Sequence, residues 1–213
     1  LCRPCRVAPP EFERAVAHGL YTGTLRSLLH LLKYDGLEPV ADKLGALLAA
    51  QVAAIADLPE KMLVVPVPLY KTKRRRRGFN QSELLARAVC GAMRRLRPEW
   101  KGEFAPPGMM IRRHDTRSQA ELNTAQRRRN LRGVFSVPDR DRLRGRDVLL
   151  IDDIYTTGAT ARACSEALKK AGAARVWVAT VARAQRHEFQ VRAAVTPAEM
   201  PMREDVAMWD GAE

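Results

Sequence analysis

The sequence predicts an α/β fold, a parallel sheet flanked by helices, and three observations carry that reading. Two short apolar runs, "LVVPV" at 63–67 and "VLLI" at 148–151, contain no polar residue, as in strands covered on both faces. Around them lie stretches with apolar residues three and four apart, the spacing of one helical face. The two kinds alternate along the chain, which builds a parallel sheet with right-handed crossovers.

Taken in order, Leu25, Leu28, Leu29 and Leu32 share one face of a first helix. Val40 to Leu58, rich in Ala and Leu, forms a second after the "DGLEP" turn. The strand at 63–67 follows, with Pro66 placed near its end because proline cannot donate to a ladder. Ser82 caps an amphipathic helix whose inner face is Leu85, Ala88, Val89, Ala92, Met93 and Leu96. Met109–Arg112 and Val134–Val137 are weaker strands separated by a polar, Arg-rich stretch. Then come the strand at 148–151, a helix from Ala159 to Ala171 stopped by Gly172, and a strand from Val176 to Ala182. Beyond Arg183 no period is sustained. The chain therefore divides into residues 1–20, a main domain at 21–183, and an irregular tail at 184–213.

The net charge is +13, and its distribution matters more than its size. Lys71 to Arg146 hold 22 Lys and Arg against 7 Asp and Glu, leaving 15 against 17 elsewhere. A field localised in this way implies a polyanionic partner, either nucleic acid or a ligand carrying several phosphates, with a solvated basic surface as the other reading. No apolar run approaches the roughly 20 residues that span a bilayer, and no signal-peptide pattern opens the chain, so the expected location is cytoplasmic, without membrane insertion. The first residue is Leu1 rather than Met, which leaves room for a preceding segment.

Cys90 and Cys164 sit within apolar helical patterns and read as buried thiols. Cys2 and Cys5 form "CRPC", a knuckle able to give two thiolates to a tetrahedral Zn²⁺ that needs two more ligands. No second pair is present, so residues 1–20 read as a partial zinc-ribbon remnant and linker.

The chemistry concentrates in "IDDIYTTGAT", residues 151–160. In a parallel sheet, ligands sit beyond the carboxyl ends of the strands, where Asp152 and Asp153 fall. The turn Thr156, Thr157, Gly158, Ala159, Thr160 then opens a helix, whose free N–H groups and partial positive charge attract an anion. Gly158 permits a positive φ, and the threonine hydroxyls add donors. A phosphate fits this turn, but the two carboxylates would repel it, so they must serve donors on another part of the same molecule; sugar hydroxyls meet that need. A P-loop ATPase is excluded because Gly-x-x-x-x-Gly-Lys-Ser/Thr is missing. A strand-end metal site and a simple capped helix are the other readings of the segment.

"VLLIDDIYTTGAT" resembles the phosphoribosyl pyrophosphate (PRPP) signature of type I phosphoribosyltransferases. "VPVPLYKTKRRRRGFNQSELLA", "RSQAELNTAQRRRNLRGVF" and the "CRPC" start further resemble the ComF/GntX family, whose members are amidophosphoribosyltransferase-like. The likeness covers residues 2–183. It implies that Asp152 and Asp153 hold the ribose 2′ and 3′ hydroxyls while Thr156 to Thr160 cradle the 5′-phosphate. By the same resemblance, Pro68, Leu69, Tyr70 and Lys71 form the pyrophosphate loop, with Arg77 assisting. Residues 112–130 form a lid in which Arg113, Thr116 and Gln119 match the family pattern, and Mg²⁺ accompanies PRPP. On that view Asp153→Asn abolishes activity and leaves the fold intact.

The resemblance also brings an association with natural competence and DNA uptake. Lys73–Arg77 and Arg127–Arg129 carry more cations than one pyrophosphate engages, which suits single-stranded DNA. Against this, only 6% of residues are aromatic, and Phe79 is the only one between Lys71 and Trp100, so no stacking platform is evident.

Overall fold

A computed structural model describes residues 3–114, 131 and 133–185. The elements are α1 (Arg3–Val7), β1 (Arg14–Leu20), α2 (Gly23–Tyr34), α3 (Pro39–Ala53), β2 (Lys61–Pro66), α4 (Lys71–Arg77) and α5 (Gln81–Leu96). They continue with β3 (Lys101–Phe104), β4 (Ile111–Arg112), β5 (Phe135–Ser136), β6 (Asp147–Tyr155), α6 (Ala159–Lys170) and β7 (Arg175–Arg183). Five strands form one wholly parallel sheet in the order β1-β7-β6-β2-β3, and β4 pairs with β5 as a small antiparallel ribbon.

The central strands β2, β6 and β7 are the apolar runs, so a helical layer must cover each face. Alternation sorts their side chains. Leu149 and Ile151 of β6 join a core with α2, α3 and α5, while Val148 and Leu150 join a second core with α6 and the β4–β5 ribbon. Gly45 of α3 lets that helix approach α5 closely, because a Cβ there would collide with the Ala88 side chain. Leu44, Leu48 and Val52 sit beside it with no exposure. Truncating one such leucine to alanine costs about 2–5 kcal/mol.

From β2 the chain crosses to β3 by way of α5; from β6 it crosses in the opposite direction to β7 by way of α6. Right-handed crossovers in opposite directions place those helices on opposite faces and open a crevice at the carboxyl ends of β2 and β6, the topological switch point.

Several expectations need correction. Residues 14–20, assigned to a linker, form edge strand β1 and pair with β7. β3 is an edge strand the sequence reading did not contain. Neither edge carries a clean apolar alternation, since only one neighbour and part of each face need covering. The second helix ends at Ala53 rather than Leu58: Ile55 and Leu58 are buried in turns, and Pro59 disfavours helix at the residue before it. The cap of α5 is Asn80, whose side chain accepts from the Ser82 backbone N–H at 3.1 Å; Ser82 lies inside the first turn. Lys71–Arg77, read as a loop followed by a charge run, is helical as α4.

Candidate functional site

β6 runs on to Tyr155, so Asp152 and Asp153, expected just beyond the strand's end, lie within its last four residues, and the chain then turns through Thr156 and Thr157 into α6. Gly158 caps that helix at φ 76°, the left-handed conformation its position in the turn anticipated. Thr156, Thr157 and Thr160 are half-buried, with Gly158 and Ala159 beneath them. The Thr157 hydroxyl accepts weakly from the Ala159 amide at 3.4 Å, taking up one of the donors that open the helix. Tyr155 folds over Gly158. The cavity between β6, this turn and α6 is only about 10 Å³, room for one water, so it is not itself a phosphate pocket.

The two acids point to opposite sides of the strand, as neighbours in a strand must. Asp153 is buried, and Lys33 of α2 stands with Nζ 2.7 Å from its Oδ2. Gln81 Nε2 donates to the same oxygen at 3.0 Å. Burial alone would lower the Lys33 pKa, but the charge of Asp153, its hydrogen bond and the charge of Asp152 outweigh it and leave the pKa raised. Asp152 is partly exposed, and its Oδ1 accepts from Ser82 Oγ at 3.1 Å and from the Asp153 amide at 2.9 Å. Burial among protein atoms, then the charge of Asp153, push its pKa up to about 7, against weaker opposing effects of hydrogen bonds and Lys33.

The first turn of α5 thus fastens the crevice. Asn80 Nδ2 donates to the Val67 carbonyl at 3.0 Å, beyond the end of β2, while Gln81 and Ser82 reach the acids of β6. Gln81 Oε1 also accepts from Arg77 Nη1, and the Arg77 guanidinium lies 5.6 Å from the ring centroid of Tyr34. Sequence reasoning missed Lys33, Asn80, Gln81 and Ser82 as site residues. Three consecutive polar residues at the start of an otherwise apolar helix face, more than a cap needs, were the available signal.

The remaining site residues are distributed as follows. Pro68, Leu69 and Tyr70, all half-buried, link β2 to α4, and Lys71 is exposed at the helix start; no cis peptide occurs among the described residues. Arg113 follows β4, its amide donating to the Val134 carbonyl at 2.8 Å and its Nε to Ser136 Oγ at 2.9 Å, so it is engaged with the ribbon. Thr116, Gln119 and Arg127–Arg129 lie outside the described residues, as does the tail from 186 onward. Cys5 lies in α1, where Arg162 Nη2 approaches its sulfur at 3.3 Å; Cys2 is outside the described residues. Among the described residues no three His, Cys, Asp or Glu gather around a possible metal position, so Cys5, the one described member of the Cys2–Cys5 pair, beside a guanidinium, does not by itself fit Zn²⁺. Cys90 and Cys164 are buried thiols with raised pKa values, mainly through burial, about 11 for Cys90. No helix among the described residues is long and apolar enough to cross a membrane.

Comparison with known proteins bears on the same segments. The phosphoribosyl transferase domain family matches residues 107–202. The DNA utilization protein YhgH of Escherichia coli (strain K12) is 33% identical over 184 residues, covering 83% of this chain and 75% of that protein. Competence protein F of Haemophilus influenzae is 30% identical over 189 residues, covering 86% of this chain and 78% of that protein. Among solved structures, a glutamine PRPP amidotransferase from B. subtilis is 22% identical over 65% of this chain and 26% of that one, with a TM-score of 0.40. With that identity to relatives named for competence and DNA utilization, over most of its own length and theirs, the chain belongs to the ComF/GntX family of phosphoribosyltransferase-like proteins.

Proposed function

We propose that this protein binds PRPP, as its Mg²⁺ complex, at the β2–β6 crevice and transfers the phosphoribosyl group to an acceptor with release of pyrophosphate. One observation supports this above others: two carboxylates near the carboxyl end of β6 stand only a few positions before a glycine-capped helix start flanked by threonine hydroxyls. Acids suit the sugar hydroxyls, and the helix start suits the 5′-phosphate. In the reaction the bond from C1 of the sugar to the pyrophosphate oxygen breaks, the bonding pair leaves with pyrophosphate, C1 bonds to the acceptor nitrogen, and the proton that nitrogen sheds passes to solvent or the departing pyrophosphate. Mg²⁺ enters as part of the substrate, held largely by its phosphates and balancing their charge. On this reading the protein contributes position and electrostatics: Asp152 and Asp153 orient the sugar, and the cations at the crevice rim, Lys71 and Arg77, face the departing pyrophosphate. The expected location of such a reaction is the cytoplasm. Calorimetry with PRPP and Mg²⁺, followed by a pyrophosphate-release screen over nucleobases and ammonia, tests it. Absence of PRPP binding overturns it.

A second reading is a non-catalytic PRPP-binding accessory protein for DNA uptake that holds single-stranded DNA. A specific contact favours keeping it: Arg77, at the end of the α4 cation row, lies against Tyr34, which is 64% exposed and packs its ring 4.5 Å from that of His30. This supplies a stacking surface that the local sequence lacks, because its aromatic members come from α2. Salt-sensitive binding of single strands with PRPP affinity but no pyrophosphate release supports this reading over the enzyme.

A further inference from the structure

We propose that Lys33 and Gln81 are positioning residues that aim Asp153 at the sugar and thereby set the crevice's preference for ribose over 2-deoxyribose. The inference rests on the pentose reading above and adds two residues that neither the PRPP signature nor the sequence comparison singles out. Its basis is geometric. Asp153 lies near the carboxyl end of central strand β6 with its side chain only 8% exposed, so its orientation is decided by protein partners rather than by solvent. Both partners converge on one oxygen: Lys33 Nζ at 2.7 Å and Gln81 Nε2 at 3.0 Å, each on Oδ2. The carboxylate is pinned from α2 on one side and α5 on the other, which on this proposal leaves Oδ1 as the acceptor for the 2′-hydroxyl, the group that 2-deoxyribose lacks.

Each clamp is itself held. Gln81 accepts from Arg77 through Oε1, which fixes the amide with its NH₂ group toward Asp153, and it is almost wholly buried. Lys33 keeps 16% exposure at the crevice wall, close enough to water to accompany a ligand and too confined to leave freely. A polar group built into a site to pair with one substrate hydroxyl penalises the analogue that lacks it, because the group is then left unpaired. A carboxylate free to rotate could instead turn to another partner and would discriminate poorly.

The test uses the full chain, with ribose 5-phosphate and 2-deoxyribose 5-phosphate titrated separately by calorimetry, and circular dichroism to verify folding. The wild-type protein is expected to prefer the ribose compound by about 10-fold, the effect of roughly one well-made hydrogen bond. Lys33→Met and Gln81→Met should each remove most of that preference by weakening the ribose compound alone, and Lys33→Arg should retain most of it. Wild-type protein that binds neither sugar overturns the pentose reading itself. Wild-type protein that binds both equally, or variants that keep the full preference, overturn the positioning role while phosphate binding stands. Should Lys33→Met lose both sugars or fail to fold, Gln81→Met decides: selective loss of ribose supports the inference, and equal loss of both sugars overturns it.

Discussion

The phenol of Tyr155 is folded over Gly158, so that a methyl group on this glycine would collide with the phenol oxygen. The glycine also holds φ at 76°. Backbone conformation is therefore the firm constraint on this residue, and a Cβ would in addition oblige the end of the Tyr155 side chain to shift. Gly158→Ala is expected to lower stability by roughly 1–3 kcal/mol and to displace Tyr155 or the turn. Chemical denaturation measures the first, and loss of ribose 5-phosphate binding in protein that remains folded measures the second.

The Lys33–Asp153 pair alters what Asp153→Asn would do. The signature alone suggests a silent change in stability, but here the substitution strips a mostly buried ammonium of its counterion. Asp153→Asn and Lys33→Met should each destabilise by roughly 3 kcal/mol, while the double variant costs clearly less than their combined effect. Urea denaturation of the four proteins gives the coupling. Strict additivity would show that the pair is not held in solution.

Asp152 sets a pH dependence with a definite sign. Its folded pKa of about 7 lies above the ordinary carboxyl value of 3.8, so the native state holds this proton more tightly than the unfolded chain does. The stabilisation is complete below about pH 4 and is lost as pH rises toward and through 7, with no further change from this group above that. The stability of Asp152→Asn relative to wild type should therefore rise across that window. Denaturation midpoints at intervals from pH 4 to pH 8 check it, and a parallel pair of curves counts against the burial described for this acid.

If α4 carries a nucleic-acid strand, Arg75 and Arg76, exposed on a helix with no buried residue, contact phosphate. Converting both to glutamine should weaken single-strand binding at every sequence alike and reduce the slope of log affinity against log salt by about 0.7 per contact removed. Fluorescence anisotropy with labelled oligonucleotides at several salt concentrations measures it, and PRPP binding serves as the control.

What was legible in the sequence follows physical rules. The three central strands, α2, α5 and α6 could be read because strands buried on both faces and helices buried on one leave strong patterns. Edge strands β1 and β3 left weak ones. Within the site, the residues of "IDDIYTTGAT" were found because a strand end, a turn and a helix start are local in sequence. Lys33, 120 positions before its partner in the numbering of the ion pair, was not, since nothing local marks an amphipathic helix's lysine as the one that reaches a buried acid. The Arg77–Tyr34 contact escaped for the same reason: a search for aromatic residues along the cation run cannot see a ring delivered by another helix.

Asn80, Gln81 and Ser82 hold two strands from adjacent places on one helical turn, and this makes the crevice sensitive to chain length as well as to side-chain identity. Adding or deleting a single residue there would rotate the contacts by about 100° each. Val67, Asp153 and Asp152 would lose the contacts from this turn together, with every original side chain still present. Spacing is thus a functional variable of this turn, which a point-substitution scan alone would leave unexplored.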